Sequence, residues 1–173
     1  AYAKFLRQAR FAFSQETIED TLVAHPETTR AIVRLFATRF DPELTGDREV
    51  AIRGMLVEIE HALDAVTNLD EDRILRRYLN LVRSTLRTNY FQTDDQGRPK
   101  PYLSLKLESP SVEELPLPRP WREIFVYSPR MEGVHLRGGK VARGGIRWSD
   151  RREDFRTEIL GLMKAQMVKN TVI

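Results

Sequence analysis

The stretch TDDQGRPKPYLSLKLES, residues 93–109, is where the sequence stops predicting helices and begins to predict strands. One glycine and two prolines fall within residues 97–101. They rule out a continuing helix, because proline lacks the backbone N–H and clashes with the preceding turn. Leucines at every second position of YLSLKLES then alternate with polar residues, which is the pattern of a half-buried strand. The sequence therefore predicts the α+β class, with helices before this stretch and strands after it.

The preceding part of the chain, residues 1–92, predicts a helical domain. Ser14 is a predicted N-cap, and Pro26 stands at a favoured first-turn position of the next helix. Two later helices are joined by a short turn and are predicted to form an antiparallel hairpin. Their apolar residues recur at helical spacing. The two stripes are Ile52, Leu56, Ile59, Leu63 and Val66 in one helix, and Ile74, Tyr78, Leu81, Val82 and Leu86 in the other.

The following part, residues 93–121, predicts one strand and a proline-rich linker. Two further strands are predicted in REIFVYSP, residues 122–129, and MEGVHLRGG, residues 131–139, from their β-branched and aromatic content. An amphipathic helix follows, with Asp150 as its predicted N-cap.

Composition excludes several classes of protein. The 173 residues contain no cysteine, so disulfides and thiolate metal sites are impossible. No apolar run approaches the roughly 20 residues of a membrane helix, and no signal peptide is recognisable at the start. We therefore expect a cytoplasmic protein. Lysine and arginine number 28 against 25 acidic residues, a nearly balanced surface that gives little support to nucleic-acid binding.

The segment RGGKVARGGIR, residues 137–147, has two glycine pairs among four cations. Glycine lets a backbone approach another surface closely, so the segment is suited to an anionic partner. A tight hairpin with a solvated basic rim explains the same residues. No phosphate-binding loop motif is present.

The predicted helix that follows ends its apolar face on polar residues. Phe155, Ile159 and Leu162 share one face, which continues by helical steps to Gln166 and Lys169. An exposed helix end explains this pattern, because lysine is favourable near the C-terminal dipole. A cleft at the helix end explains it as well, because an ammonium and an amide can bind a carboxylate there. Lys164 lies on a different face with Leu160 and Met167.

Residues 126–173, VYSPRMEGVHLRGGKVARGGIRWSDRREDFRTEILGLMKAQMVKNTVI, resemble the large NAD-specific bacterial glutamate dehydrogenases. The helical stretch RQARFAF and the later HPETTRAIVRLFATRFDP resemble the region that precedes catalysis in that family. RGGIR is similar to the K-G-G-[IL]-R segment of smaller glutamate dehydrogenases, and QMVK is similar to their helix-borne Q-x-x-K.

The resemblance implies roles for particular residues. In the wider family two lysines hold the two carboxylates of glutamate, and the second matches Lys169, with Gln166 preceding it. Arg143 stands where the smaller enzymes have the first lysine, and a guanidinium could grip a carboxylate bidentately. Gly144 and Gly145 would let the backbone approach the substrate. No metal site is implied.

The resemblance also implies that the sequence is a fragment of a longer enzyme. Residues 122–173 would begin an incomplete α/β substrate-binding domain. The catalytic lysine, the general-base aspartate and the NAD-binding fold would follow Ile173, so no catalytic or cofactor-binding residue is expected here. The parent would be a homo-oligomer in amino-acid catabolism that acts on L-glutamate and 2-oxoglutarate, without nucleic acid or membrane.

Two alternatives remain open on the residues alone. The first is a non-catalytic interaction or regulatory module that binds anions through the glycine-rich loop. The second is weak nucleic-acid binding by the arginine-rich helices 70–92 and 150–169, where alternating acids argue against a basic face.

Overall fold

In the computed structural model, the described residues are 1–140, 151 and 154–169, with the side chains of 168 and 169 outside the description. These residues form six α-helices, a short 3₁₀ helix and four strands. In chain order they are α1 (Tyr2–Gln8), α2 (Gln15–Ala24), α3 (Pro26–Phe40), α4 (Arg48–Asp64), α5 (Leu69–Ser84), β1 (Thr85–Thr88), β2 (Leu103–Leu107), the 3₁₀ helix (Ser109–Ser111), β3 (Arg122–Ser128), β4 (Met131–Arg137) and α6 (Phe155–Lys169).

The chain divides into two compact units. The helical unit is Phe13–Arg83 and contains α2 to α5. The sheet unit combines Ala1–Ala12 with Ser84–Ile173, so α1 belongs with the strands and α6. The mixture of helices and an antiparallel sheet confirms the predicted α+β class. The three-part division at residues 92 and 121 stays a prediction.

The helical unit begins as the sequence predicts. The Ser14 side chain accepts a hydrogen bond from the Thr17 N–H at 3.1 Å, which caps α2. Pro26 is the first residue of α3, where its missing N–H costs no helical hydrogen bond. Helices α3 and α4 pack on each other, and Ile32 and Leu35 of α3 are buried.

Helices α4 and α5 run antiparallel, as predicted. Arg76 contacts Asp64 at 3.0 Å and Arg83 contacts Glu60 at 3.4 Å. Later residues of α5 therefore contact earlier residues of α4, as antiparallel helices require. The apolar residues Ile59, Leu63, Ile74 and Leu81 of the two predicted stripes are fully buried. Leu56 is only half-buried.

The helical region ends earlier than predicted. Helix α5 ends at Ser84, and Thr85–Thr88 form strand β1 where the sequence predicted helix to residue 92. Thr85 pairs with Leu107 of β2, and the Ser84 carbonyl accepts from the Glu108 N–H at 2.8 Å. Two threonines favour a strand, and the available pairing partner decides the conformation. Leu86, counted in the helical stripe, is exposed.

The four strands form one antiparallel sheet in the order β1-β2-β3-β4. Its core side carries Leu105 and Leu107 of β2, Phe125 of β3, and Leu136 of β4, all fully buried. Helix α1 covers part of this side, with Phe5 against Phe125 at a ring-centroid distance of 5.7 Å. That packing places α1 with the sheet, whereas the sequence predicted it to join the other helices.

Among the residues that the structure describes, no helix has the length and apolar character needed to cross a membrane.

Candidate functional site

The residues predicted to bind substrate fall at two places in the chain. Arg143, Gly144 and Gly145 lie outside the described residues. Gln166 is half-buried near the end of α6, and Lys169 is the last residue of that helix, its side chain outside the description. The described geometry therefore concerns the elements that lead to the site, which are β4, the start of the glycine-rich loop, and α6.

Helix α6 packs on β4, but with a different face from the one predicted. Its buried residues are Arg156, Ile159, Leu160 and Met163, whereas Phe155 and Leu162 are half-buried. Successive helical residues are about 100° apart, so the buried face lies roughly a quarter turn from the predicted one. The predicted face left out Arg156, since arginine is usually found at the surface. Gln166 therefore lies beside the buried face and does not continue it, while Lys164 is exposed.

The start of α6 is also later than Asp150 suggested. The helix begins at Phe155, and the Asp154 carbonyl accepts from the Glu158 N–H at 2.9 Å. Asp150 itself lies outside the described residues.

Arg156 is buried because it pairs with a carboxylate inside the sheet unit. Its Nε lies 2.9 Å from Oε2 of Glu123, and the two side chains are 2% and 0% exposed. Glu123 stands on the core side of β3, between Leu107 and Leu136 of the neighbouring strands. Burial raises the pKa of the Glu123 carboxyl, and the Arg156 guanidinium and Ser109 hydroxyl oppose that rise.

A second contact holds the first turn of α6. The side-chain oxygen of Gln8, in α1, accepts from the Arg156 backbone N–H at 3.2 Å. The amide nitrogen of the same side chain donates to Glu132 of β4 at 3.1 Å. The first N–H groups of a helix have no partner within the helix, so Gln8 supplies one from another element. Gln8 is 3% exposed and thus links α1, α6 and β4 within the sheet unit.

The other end of α6 meets the chain where β4 ends. A Cβ atom placed on Gly138 would lie 2.8 Å from Sδ and 3.0 Å from Cγ of Met167. Such distances are too short for carbon, so the helix rests on this backbone because residue 138 has no side chain. Gly138 opens the predicted glycine-rich loop, and Met167 lies between Gln166 and Lys169. The two elements that carry the predicted site residues are therefore in direct contact.

Cations at the start of the loop have structural partners. Arg137 donates from Nη2 to the Lys140 carbonyl at 2.7 Å, and its guanidinium lies 5.7 Å from the Trp121 ring centroid. Arg122 lies over the same ring at 4.7 Å and contacts Glu108 at 2.8 Å. Arg137 therefore shapes the loop, which weakens the view of it as a freely presented anion ligand.

Sequence reasoning missed Arg156, Glu123 and Gln8, and it included Gly138 in the glycine-rich loop without predicting its contact with Met167. A signal for Glu123 was present, because it shares the alternation of Phe125 on an otherwise apolar side of β3. The contact partners of Gln8 and Gly138 are distant in sequence and leave no such signal. In the described part of the chain, no three His, Asp or Glu residues are grouped closely enough to hold a metal ion.

Comparison with known proteins agrees with the resemblance found in the sequence. The profile of the bacterial NAD-glutamate dehydrogenase catalytic domain matches residues 58–173, and that of glutamate dehydrogenase helical motif 3 matches residues 1–42. NAD-specific glutamate dehydrogenases of Halomonas elongata and Pseudomonas aeruginosa are each 57% identical over 100% of this chain. The enzyme of that name from Mycobacterium tuberculosis is 56% identical, also over the whole chain.

The chain spans about 11% of the length of these curated relatives. The catalytic-domain profile nevertheless covers well over half of the chain, and the identity extends from its first residue to its last. The chain therefore belongs to the bacterial NAD-glutamate dehydrogenase family.

Proposed function

We propose that this chain is part of an enzyme that converts L-glutamate, NAD⁺ and water to 2-oxoglutarate, ammonium, NADH and a proton. Within it, the chain contributes residues that bind the two carboxylates of glutamate. The observation that carries this proposal is the contact between Gly138 and Met167, because it joins the start of the glycine-rich loop to the end of α6. In this proposal the two carboxylates of glutamate are held by one cation from each element, Arg143 from the loop and Lys169 from α6.

The proposed roles follow from the chemistry of the side chains. The Lys169 ammonium would bind one carboxylate as a compact charge, and the Gln166 amide would donate a second hydrogen bond. Arg143 would grip the other carboxylate through its guanidinium fork, and Gly144 and Gly145 would keep the backbone close to the substrate. Holding both ends of glutamate fixes the direction of its α-hydrogen, which is an orientational contribution to the rate.

NAD would accept the hydride from the α-carbon when bound. The 173-residue sequence contains no glycine-rich dinucleotide fingerprint, so we assign none of its residues to the cofactor. The names of the relatives support NAD as the cofactor of the whole protein. A homo-oligomeric, cytoplasmic enzyme of amino-acid catabolism is part of the same proposal.

The test is a set of substitutions in the full-length enzyme. Lys169→Ala should raise the KM for glutamate and lower kcat/KM by roughly 10- to 150-fold, the effect of losing one charge-assisted contact. Arg143→Ala should have a similar effect. Lys164→Ala is the matched control on the same helix, since Lys164 is exposed and lies outside the proposed site. Unchanged glutamate kinetics for Lys169→Ala would refute the assignment, as would equal damage from Lys164→Ala.

The alternative function, a non-catalytic anion-binding module, predicts a different result. Such a module would bind sulfate or phosphate as well as it binds glutamate, since charge alone would govern recognition. The proposed enzyme site should instead discriminate by the spacing of two carboxylates. Equilibrium binding of glutamate against acetate and phosphate to the full-length protein separates the two functions.

A further inference from the structure

The buried ion pair between Arg156 and Glu123 carries a large desolvation free energy and so stabilises the fold little. Both side chains are almost fully buried, and Leu107 and Leu136 flank Glu123 in the sheet. Removing two charges from water costs several kcal/mol each, and their attraction often does no more than offset that cost. In addition, Nη2 of Arg156 is buried and hydrogen-bonds to no residue in the described part of the chain. Apolar side chains of similar size would be expected to stabilise this position at least as well.

The ion pair requires one particular orientation of α6, which apolar contacts do not. Ile159, Leu160 and Met163 are buried in the same unit, and hydrophobic burial is indifferent to small rotations or shifts of a helix. A buried carboxylate tolerates no such shift, because a rotated α6 would leave Glu123 without its partner. The hydrogen bond from the Arg156 N–H to Gln8 fixes the same helical turn along the axis.

A rigid helix carries any rotation at Arg156 undiminished to its far end. Gln166 and Lys169 follow Arg156 by roughly 15 and 20 Å along the helix, at about 1.5 Å per residue. With side chains, a helix has a radius of about 5–6 Å, so a rotation of about 20° moves a side-chain tip by about 2 Å. Misplacement of a binding group by about 1 Å can cost on the order of 100-fold in rate.

We propose that Arg156 is a positioning residue for glutamate binding. It acts by pairing with Glu123, which fixes the rotation of α6 about its axis and its position along that axis. This inference rests on the proposed function, because it assigns to α6 the task of presenting Gln166 and Lys169 to the substrate. Arg156 itself does not touch the substrate in this proposal. Its contribution is to select one arrangement of the helix among several that would bury similar apolar area.

The experiment replaces both charges together in the full-length enzyme. Arg156→Met with Glu123→Leu removes the pair without leaving a lone buried charge. Steady-state kinetics are measured for glutamate and for NAD, with thermal unfolding in parallel. We expect an unfolding midpoint near that of the wild type and an unchanged KM for NAD. The kcat/KM for glutamate should fall by about 10- to 100-fold, mainly through KM. Arg156→Lys keeps the charge beside Glu123 and should restore most of the glutamate affinity.

Three results would overturn the inference. Wild-type glutamate kinetics in the double variant would show that the ion pair is not needed to position α6. A double variant that unfolds or loses affinity for both substrates would show that the pair holds the fold together and has no specific positioning role. An Arg156→Lys variant as impaired as the double variant would show that the charge is not what matters.

Lys169→Ala, measured alongside, separates this inference from the proposed function. If Lys169→Ala weakens glutamate binding and the double variant does not, the positioning role is wrong and the site assignment stands. If Lys169→Ala has no effect, the site assignment is wrong, and the positioning role that depends on it falls too.

Discussion

The Met167 side chain lies against the backbone of Gly138, with its sulfur 2.8 Å from the place where a Cβ at position 138 would stand. Two glycines follow β4, and only the first has this neighbour: at Gly139, a Cβ would meet no described atom within 4 Å. The contact therefore depends on one glycine and makes a matched comparison possible.

Gly138→Val should destabilise the sheet unit by less than the roughly 1–3 kcal/mol of overpacking a core, because the Met167 side chain is flexible and 46% exposed and can move partly aside. Gly139→Ala should be close to neutral. Adding Met167→Ala to Gly138→Val should recover part of the loss, because it removes the atoms that the new side chain meets. Urea unfolding of the three variants measures these differences. Equal effects at positions 138 and 139 would contradict the observed contact.

Ile59→Ala should cost about 2–5 kcal/mol in the helical unit, the range found for large aliphatic residues in a core. Ile59 is 0% exposed in α4. Leu56→Ala should cost less, because Leu56 is only half-buried. The comparison uses chemical denaturation followed by circular dichroism. A larger loss at position 56 than at position 59 would show that α4 presents a different face to its neighbours.

The purified 173-residue chain should produce no NADH from glutamate. The chain spans about 11% of its relatives' length, and its sequence contains no glycine-rich dinucleotide fingerprint. Absorbance at the NADH wavelength, with glutamate and NAD in excess, is the measurement. Turnover above a buffer control would mean that the catalytic residues have been assigned to the wrong part of the family's sequence.

The loop at residues 94–98 should lose its order in acid. The Asp94 carboxylate accepts hydrogen bonds from the Gln96 and Arg98 N–H groups at 2.9 Å, and from the Arg98 side chain. The Arg98 backbone N–H is the main cause of a lowered pKa for Asp94. A lowered folded-state pKa means that the stabilisation is present above the unfolded value, about 3.9, and is lost as pH falls through the folded one.

The corresponding measurement is an NMR titration of the backbone amides of Gln96 and Arg98. Their shifts should hold steady from neutral pH to about 5 and change below about 4. Asp94→Asn should abolish this transition, since an amide does not titrate in this range. A transition of the same size in the Asn variant would assign it to another carboxylate.

The strands were predictable because alternation is a local property. Leu105 and Leu107 are both buried in β2, as the pattern in YLSLKLES indicates, and REIFVYSP and MEGVHLRGG contain β3 and β4. The local sequence could not reveal β1, because Thr85 follows a helical stripe without a break and its strand partner, Leu107, is distant. Long-range pairing decided that segment.

The residues of the candidate site stay a prediction, whereas the predicted buried face of α6 was wrong. The sequence identified α6 as the helix of interest, but its rotation depends on Arg156 and Glu123, two charged residues in a core. A prediction that assigns charged residues to the surface will turn such a helix the wrong way. Resemblance to the family named Gln166 and Lys169 without relying on which face is buried, so that assignment does not depend on the predicted rotation of α6.

The placement of α1 has a consequence for the order of folding during synthesis. Gln8 bonds to residues 124 and 148 positions later, so the first helix of the sheet unit leaves the ribosome long before its partners. Helix α1 has seven residues, too few to be stable alone, and must remain unstructured while the helical unit forms. Phe5 stays exposed to solvent or to a chaperone until β3 emerges with Phe125. Completion of this unit is thus a late, non-local step, governed by loop closure across the whole helical unit.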